Sequence, residues 1–221
     1  MPTGVPFNGD VCLLCGGVAA PWFADGSRDY LRCGHCGFVH VPAAQRLPLE
    51  AERAYYLTHR NAVDDPGYRT WLSHLATPLL ERLQPPASGL DFGCGPEPAL
   101  AAMLAEAGFS VSLYDPQFAP DASVFSREWD FITATEVLEH LHQPATELGR
   151  LWSLLRPGGW LAVMTRRVPA LAEFAHWHYR RDPTHIGFFA EQSFAWLAAR
   201  WQAELELLGD DVALLRKPLA G

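Results

Sequence analysis

The chain has 221 residues, of which 49% are hydrophobic, enough for one domain of ordinary size with a small appendage. Charged residues make up 19% and the net charge is −8, an acidic balance that disfavours broad contact with a nucleic-acid backbone. The stretch MPTGVPFNGDVCLLC lacks the basic and apolar regions of a secretory signal, and no apolar run reaches the roughly 18 residues of a membrane span. These totals predict a soluble, cytoplasmic protein.

Two cysteine knuckles come first along the chain, CLLCGG and CGHCGF, with 17 residues between the two CxxC pairs. This spacing is typical of a tetrahedral zinc site with four thiolate ligands, as in a zinc ribbon. About 40 residues cannot hold a hydrophobic core unaided, so the metal is expected to be structural. The sequence therefore predicts a zinc-binding unit over residues 1–45 with these ligands: Cys12, Cys15, Cys33 and Cys36.

The glycines that follow the knuckles, Gly16 and Gly37, allow tight turns in which backbone N–H groups point at sulfur. The alternatives are a pair of disulfides, a redox-active CxxC, or replacement of one cysteine ligand by His35. A cytosolic chain rarely keeps disulfides, and no helix-forming sequence follows either knuckle, so four thiolates on zinc are favoured. The fifth cysteine, Cys94, is interpreted as a small hydrophobic residue.

Residues 46–87 are predicted to form a helical linker or cap, because TWLSHLATPLLERL repeats leucine at helical intervals before Pro85 and Pro86. From residue 88 to 221, strand-like stretches such as SGLDFG, SVSLYD, WDFITAT and WLAVMT alternate with helix-like ones, one of them interrupted at Pro144. This alternation predicts an α/β fold with a doubly wound, mostly parallel sheet. AELELLGDDVALLRKP predicts a closing hairpin, which makes the last strand antiparallel.

Four blocks in the second part of the chain carry a family resemblance: LDFGCG, LYDP, WDFITATEVLEH and LLRPGGWLAVMT. In their order and spacing, residues 88 to 217 resemble a class I S-adenosylmethionine-dependent methyltransferase. The resemblance implies a Rossmann-like fold, S-adenosylmethionine as cofactor, and methyl transfer as activity. The cysteine unit resembles one that precedes this domain in some small-molecule methyltransferases, including sugar C-methyltransferases, and the unit of the rRNA guanine-N1 methyltransferases.

The glycine loop has the residues that this cofactor needs. Gly93 and Gly95 let the backbone approach a ligand where a Cβ would clash. Asp91 suits the cationic amino-acid end of S-adenosylmethionine and would repel a pyrophosphate, which argues against NAD. Asp115 lies 20 residues after Gly95, where an acidic side chain can accept hydrogen bonds from both ribose hydroxyls. The alternative for Asp91 and Asp115 is loop capping.

Glu97 stands in LDFGCGPEP where a third glycine would be expected. Pro98 follows it and favours an extended backbone with negative φ, so the position does not require glycine. One interpretation is that the Glu97 carboxylate favours the positive end of the following helix. The other is that it also faces the ammonium or sulfonium of the cofactor.

Only 14 residues separate Asp115 from Asp130, too few for the helix and strand that the family places there. The sequence therefore predicts a missing or vestigial edge strand, with Asp121 as a weak stand-in for the adenine contact. Thr135 and Glu136 lie just past the next strand, where the cofactor cleft is expected to open.

The stretch FAHWHYRRDPTHIGFF, residues 174–189, is predicted to form the acceptor site, because it is rich in aromatic residues and histidines and follows the fourth strand. A turn at DPTH would aim His185 into the cleft as a general base, with His140 as a second candidate. The alternatives are that these histidines are ordinary surface or packing residues, or that His176 and His178 join His185 in a metal site.

The acceptor is expected to be a small molecule, because the basic runs RRV and YRR are small against the overall acidic charge. The alternatives are an RNA base methyltransferase and a non-catalytic, zinc-dependent binding module. The acceptor's identity, the methylated atom and the oligomeric state are left open by the sequence.

Overall fold

The computed structural model of the protein describes residues 10–56 and 62–220. Residues 1–9, part of the stretch predicted to lack a secretory signal, and residues 57–61 of the predicted linker lie outside the described residues. The strands are β1 (Asp10–Val11), β2 (Val18–Ala24), β3 (Asp29–Cys33), β4 (Val39–His40), β5 (Ser88–Phe92), β6 (Ser110–Tyr114), β7 (Trp129–Thr135), β8 (Leu155–Met164), β9 (Gly187–Phe188), β10 (Glu204–Leu208) and β11 (Val212–Arg216). The helices are α1 (Leu49–Tyr56), α2 (Pro66–Leu80), α3 (Ala99–Glu106), α4 (Pro144–Ser153), α5 (Leu171–Phe174) and α6 (Glu191–Trp201).

The larger sheet has the order β10-β11-β8-β7-β5-β6. Strands β6, β5, β7 and β8 are parallel, and β11 and β10 add to β8 as an antiparallel hairpin. Helices α2 and α3 pack on one face, whereas α4 and α6 pack on the other. The predicted doubly wound, mostly parallel fold with an antiparallel hairpin is confirmed.

The sheet ends at β6, because the chain from β6 to β7 makes no further strand. It forms an isolated bridge between Asp115 and Ala119 and then a 3-10 helix, Ala122–Ser126. The missing edge strand is therefore confirmed. Asp121 caps the 3-10 helix by accepting a hydrogen bond from the Ser123 backbone N–H at 2.9 Å, so its side chain has a local structural role.

The smaller sheet is antiparallel, with the order β1-β2-β3-β4-β9. Its first four strands come from the cysteine unit, but β9 comes from the stretch predicted to form the acceptor site. Val39 pairs with Phe188, and His40 pairs with Gly187. The amino-terminal unit and the acceptor stretch are therefore parts of one sheet, a connection between residues about 150 positions apart.

Among the described residues, none of the helices combines the length and the apolar character that a membrane crossing requires.

Candidate functional site

The four cysteines of the two knuckles meet at one point. The Sγ atoms of Cys12 and Cys36 lie 3.6 Å apart, those of Cys15 and Cys33 lie 3.4 Å apart, and all four lie within 4.8 Å of one another. Zinc–sulfur bonds of about 2.3 Å place the corners of a sulfur tetrahedron about 3.8 Å apart. The cluster therefore fits a zinc-binding unit with four thiolate ligands, and its cysteines are free of disulfides.

The turns of the knuckles support this geometry. Gly16 and Gly37 have φ of 74° and 70°, and the Gly17 backbone N–H donates to the Cys15 sulfur at 3.4 Å. The side-chain hydrogen bond with Cys36 lowers the pKa of Cys12 to about 5. His35 is held elsewhere, since its Nε2 accepts a hydrogen bond from Trp196 Nε1 at 3.0 Å. This partner on α6 argues against His35 as a replacement ligand.

A continuous cleft of about 880 Å³ opens at the carboxyl ends of β5, β6 and β7, which is where ligands bind in open α/β sheets. One part, which we call the glycine-loop half, is lined by Gly93, Gly95, Glu97, Asp115, Gln117 and Thr135. The other part, the histidine half, is lined by Glu136, His140, His178, Tyr179, Asp182 and His185. The residues predicted from the sequence to bind the cofactor or act as bases are thus brought together in one cleft, with the exception of Asp91.

Gly93 and Gly95 both have positive φ, at 74° and 64°. A Cβ on Gly95 would meet open space, which leaves the loop backbone accessible from the cleft. A Cβ on Gly93 would lie 2.3 Å from Val137 Cγ2. Internal packing therefore requires glycine at 93, a reason that the sequence did not indicate.

Asp91 lies beneath the loop, is buried, and does not line the cleft. Thr133 Oγ1 donates to its Oδ1 at 2.7 Å. Burial raises the pKa of Asp91 to about 6, because the hydrogen bond from Thr133 only partly offsets the loss of water. Its predicted contact with the cationic end of the cofactor stays a prediction.

Asp115 closes β6 at the bottom of the cleft. Its Oδ1 accepts hydrogen bonds from the backbone N–H groups of Gln117 at 2.8 Å and Phe118 at 3.1 Å. Its Oδ2 accepts from the Gly95 N–H at 3.2 Å, which ties the end of β6 to the glycine loop. The carboxylate therefore caps a turn and also lines the cleft, where Oδ2 has a further lone pair for a ligand.

Two polar atoms in this half are buried without a hydrogen-bond partner in the described part of the chain, Gln117 Oε1 and Thr135 Oγ1. Both residues line the cleft. Buried polar atoms are normally satisfied, so a polar ligand in the cleft would explain both. Thr135 was predicted from its position after the strand, whereas Gln117 was missed because its signal depends on the fold of the turn.

Glu97 is exposed and lines the cleft. Positive φ outside glycine occurs, in the described part, at Glu136 and Gln202, so Glu97 avoids the left-handed region as Pro98 predicts. Helix α3 has Pro98 as N-cap and, within the described residues, no side-chain capping hydrogen bond. Both interpretations of the Glu97 carboxylate, a charge at the start of the helix and a contact with the cofactor, stay predictions.

Glu136 adopts φ of 52°, in the left-handed region that costs a non-glycine residue of the order of 1–3 kcal/mol. Burial, with a contribution from the nearby Glu139, raises the pKa of Glu136 to about 9. Strain and an unusual protonation state coincide at the junction of the two halves, as is common at functional sites.

His140 and His185 stand side by side in the histidine half, with ring centroids 4.7 Å apart. His140 Nδ1 lies 3.1 Å from the carbonyl oxygen of Thr184, and His185 Nδ1 lies 2.7 Å from that of Tyr179. Burial lowers the pKa of His185, which favours the neutral ring. The predicted turn at DPTH is present, with Asp182 extended before Pro183.

Glu139, which precedes His140, was not predicted as a site residue. It is fully buried, and Thr165 Oγ1 donates to its Oε2 at 2.8 Å. Its Oε1 has no hydrogen-bond partner among residues 10–56 and 62–220, and it lies 3.7 Å from His140 Nε2. The sequence EVLEH places a glutamate directly before His140, and this adjacency could have indicated Glu139 as a site residue.

The aromatic residues of the acceptor stretch have a different role from the predicted one. Phe174 and Phe188 pack with Tyr30, Val39 and Val41 of the amino-terminal sheet, and Phe189 packs against Phe38. From this stretch, the residues that line the cleft are His178, Tyr179, Asp182 and His185. The phenylalanines of the stretch therefore do not line the predicted acceptor site, because they are buried in the core that joins the two sheets.

The described part of the chain has two clusters of at least three ligand atoms that could hold a metal ion, the four cysteines and a set formed by Glu139, His140 and His185. His185 thus meets Glu139 and His140, whereas a cluster with His176 and His178 is not formed.

Comparison with known proteins supports this geometry. A family model described as "Methyltransferase domain" matches residues 67–208. A comparison with curated protein sequences gives no significant match.

Solved structures share the fold. The 1,6-didemethyltoxoflavin-N1-methyltransferase of Burkholderia thailandensis, with bound 1,6-didemethyltoxoflavin and S-adenosylhomocysteine, is 20% identical with a TM-score of 0.52, over 90% of this chain and 100% of that one. The magnesium protoporphyrin IX methyltransferase of Synechocystis PCC 6803, with bound SAH, is 12% identical with a TM-score of 0.51, over 76% and 94%. The PH0226 protein of Pyrococcus horikoshii OT3 is 14% identical with a TM-score of 0.53, over 75% and 98%.

Proposed function

The chain belongs to the methyltransferase-domain family and is an S-adenosylmethionine-dependent methyltransferase, and from that premise we propose that it methylates a small-molecule acceptor bound in the histidine half of its cleft. The observation that carries this proposal is the continuity of the cleft. The glycine loop and the paired histidines line one cavity of about 880 Å³, the size of a small-molecule site.

The glycine-loop half is the proposed cofactor site. Asp115 accepts hydrogen bonds from the ribose hydroxyls. The unsatisfied oxygens of Thr135 and Gln117 form hydrogen bonds with the cofactor. The Glu97 carboxylate faces the cationic end of the cofactor. Asp91 acts from beneath the loop, since Thr133 holds its carboxylate away from the cleft surface. Glu136, at the junction, separates the cofactor from the acceptor.

Methyl transfer is an in-line displacement at the sulfonium carbon, so positioning supplies most of the acceleration. The acceptor would approach from the histidine half, where Tyr179, His140 and His185 form the wall. In the general-base role predicted for His185 or His140, a neutral ring accepts the acceptor's proton through Nε2, because Nδ1 of each faces a carbonyl oxygen.

The amino-terminal unit is proposed to hold one structural zinc ion through Cys12, Cys15, Cys33 and Cys36. Its contribution is to support β9, which belongs to the same sheet, and through β9 the residues of the histidine half that directly precede it in the chain. The domain boundaries at 45 and 87 and a cytoplasmic location stay predictions.

An RNA acceptor is less well supported. Two arginines of the basic runs are buried and have partners inside the protein: Arg167 Nη1 donates to the Val212 carbonyl at 2.9 Å, and Arg180 pairs with Asp25. They are therefore not available as a phosphate-binding patch.

Isothermal titration with S-adenosylmethionine and S-adenosylhomocysteine, followed by an acceptor screen, tests the proposal. We expect one binding site per chain and turnover with a small molecule. A chain that binds neither cofactor form would instead be the non-catalytic binding module, and turnover on RNA alone would overturn the acceptor class.

A further inference from the structure

The cluster of Glu139, His140 and His185 brings one carboxylate and two imidazoles together in the wall of the cleft. Their ligand atoms all lie within 4.8 Å of one another. Glu139 and His140 end a 3-10 helix, Leu138–His140, whereas His185 comes from the distant acceptor stretch. Because the two segments are far apart in sequence, the fold itself creates this grouping.

The two histidines are held by the same kind of hydrogen bond. Each Nδ1 faces a backbone carbonyl oxygen, of Thr184 for His140 and of Tyr179 for His185. A carbonyl oxygen only accepts hydrogen bonds, so Nδ1 carries the proton and the neutral ring presents the lone pair of Nε2. A carbonyl acceptor on one ring nitrogen is the usual way in which proteins orient a histidine that binds metal through the other.

The Glu139 carboxylate has one oxygen occupied and one oxygen unsatisfied. Oε2 is held by the Thr165 hydroxyl, while Oε1 is buried with no hydrogen bond from any described residue. A carboxylate oxygen without a donor is costly to bury. A cation bound between Oε1 and the imidazoles would remove that cost.

We infer that Glu139, His140 and His185 bind a divalent metal ion through Oε1 and the two Nε2 atoms, a role that replaces the general-base role of the two histidines. Two imidazoles and one carboxylate are a donor set that suits ions such as Zn²⁺, Mn²⁺ and Fe²⁺. Ligand bonds of about 2.1 Å place neighbouring ligand atoms about 3–3.5 Å apart. The separation of 3.7 Å between Glu139 Oε1 and His140 Nε2 therefore requires a shift of only a few tenths of an ångström.

Three protein ligands leave coordination positions open towards the cleft, since His140 and His185 line it. An oxygen of the acceptor can occupy such a position, an assignment that rests on the proposed function. Asp182 Oδ2 lies 3.9 Å from His185 Nε2, but Asp182 is not part of the group whose ligand atoms lie within 4.8 Å of one another, and its Oδ1 accepts from the backbone and hydroxyl of Thr184. We therefore assign Asp182 to support of the turn.

The experiment is a titration of the zinc-loaded full chain with Mn²⁺, followed by electron paramagnetic resonance, because the cysteine cluster prefers softer ions than Mn²⁺. We expect one Mn²⁺ per chain. Glu139→Gln and His185→Gln should each weaken binding at least tenfold. His142→Gln is the matched control, since His142 lines the same cleft with Nε2 3.0 Å from a carboxylate oxygen of Glu52, and it should bind Mn²⁺ as the unmodified chain does.

Titration with S-adenosylhomocysteine checks that each variant is folded and separates the two proposals. Loss of Mn²⁺ binding in Glu139→Gln with unchanged cofactor affinity supports the site. Elemental analysis that finds no metal beyond the cysteine-bound zinc, together with no Mn²⁺ binding, would overturn it and leave the histidines as bases. Loss of Mn²⁺ only in His142→Gln would overturn it as well. Mn²⁺ binding without any cofactor binding would refute the proposed function alone.

Discussion

The two halves of the cleft are built in different ways. The glycine-loop half comes largely from one short stretch, a strand, a loop, a helix and a strand between residues 88 and 118, with Thr135 added by the neighbouring strand. The histidine half combines the 3-10 helix Leu138–His140 with residues 178–185, and the amino-terminal sheet lies behind it. Local sequence forms the first half, whereas the second half depends on contacts between distant segments.

Hydrogen bonds to backbone carbonyl oxygens connect the histidine half to the amino-terminal unit. Arg28 Nη1 and Nη2 donate to the carbonyl oxygens of Asp182 at 2.9 Å and His185 at 2.6 Å. The Val41 N–H donates to the Ile186 carbonyl at 2.9 Å, and the Ile186 N–H donates to the Glu139 carbonyl at 2.8 Å. Under the proposed function, the amino-terminal unit would therefore position the acceptor site through residues 182–186 without lining the cleft itself.

The largest expected effect is from removing two thiolates. Cys33→Ser with Cys36→Ser should abolish zinc binding and destabilise the amino-terminal sheet by on the order of 5 kcal/mol or more, because metal binding is part of its folding free energy. Hydrogen exchange should rise at β9 and Ile186 while the glycine-loop half keeps most of its affinity for S-adenosylhomocysteine. Cys94→Ser is the control, with zinc retained. Equal loss of protection across both sheets would contradict the division into halves.

Arg28→Ala is expected to loosen the histidine half by about 2–3 kcal/mol, because hydrogen bonds from a charged donor to two carbonyls are lost. Hydrogen exchange at residues 182–186 measures the effect, and affinity for S-adenosylhomocysteine should be unchanged. Arg32→Ala, which removes a guanidinium 5.1 Å from the Trp22 ring, is the matched control on the same sheet. Unaltered exchange in Arg28→Ala would show that β9 pairing alone positions His185.

Asp115→Ala tests the other half. We expect weaker binding of S-adenosylmethionine by roughly 1–3 kcal/mol, since hydrogen bonds to a charged acceptor are lost, with residues 182–186 unaffected. Asp121→Ala is the control, because its exposed carboxylate caps the 3-10 helix outside the cleft and should not affect titration. An unchanged affinity in Asp115→Ala would show that the ribose assignment is wrong.

Asp91 gives a pH dependence to the glycine-loop half. Its pKa is raised from 3.8 to about 6 in the folded protein, so ionisation opposes folding. This free-energy cost of ionising Asp91 is absent below about pH 4, grows between pH 4 and 6, and is complete above that window, where it reaches about 3 kcal/mol. Asp91→Asn should therefore gain stability relative to the unmodified chain as pH rises through this window. Denaturant unfolding at several pH values measures this difference, and a constant difference would contradict the shifted pKa.

The smallest expected effect is at Glu97. Glu97→Gln should reduce affinity for cationic S-adenosylmethionine two- to five-fold, or about 0.5–1 kcal/mol, because exposed charges interact weakly. Affinity for S-adenosylhomocysteine, which lacks the sulfonium, should fall less, and the free energy of unfolding should change by less than about 0.5 kcal/mol. A loss of stability with both affinities unchanged would instead support a role at the start of α3.

Much of the fold was predictable because its signals are local. The cysteine spacing, the alternation of strands and helices, the short connection between Asp115 and Asp130 and the glycine loop each follow from neighbouring residues. Glu97 also belongs to this class, since Pro98 alone determines that its backbone can avoid positive φ.

The same local signals failed where a side chain's role depends on a distant partner. Gly93 is required by contact with Val137, and the phenylalanines of the acceptor stretch pack against a sheet formed by the first residues of the chain. The composition of the acceptor stretch indicated an aromatic environment, but it could not indicate which surface the phenylalanines cover.

The sequence by itself determined the family, the parallel sheet, the four-cysteine cluster and the location of the glycine loop, since each is encoded within a few tens of residues. Only the tertiary structure decided that β9 joins the two sheets, that Arg28 holds the turn before His185, and that Glu139 meets two imidazoles. The physical reason is that these contacts join segments more than 40 residues apart, and no local pattern fixes which of the available partners a buried carboxylate or an arginine will meet.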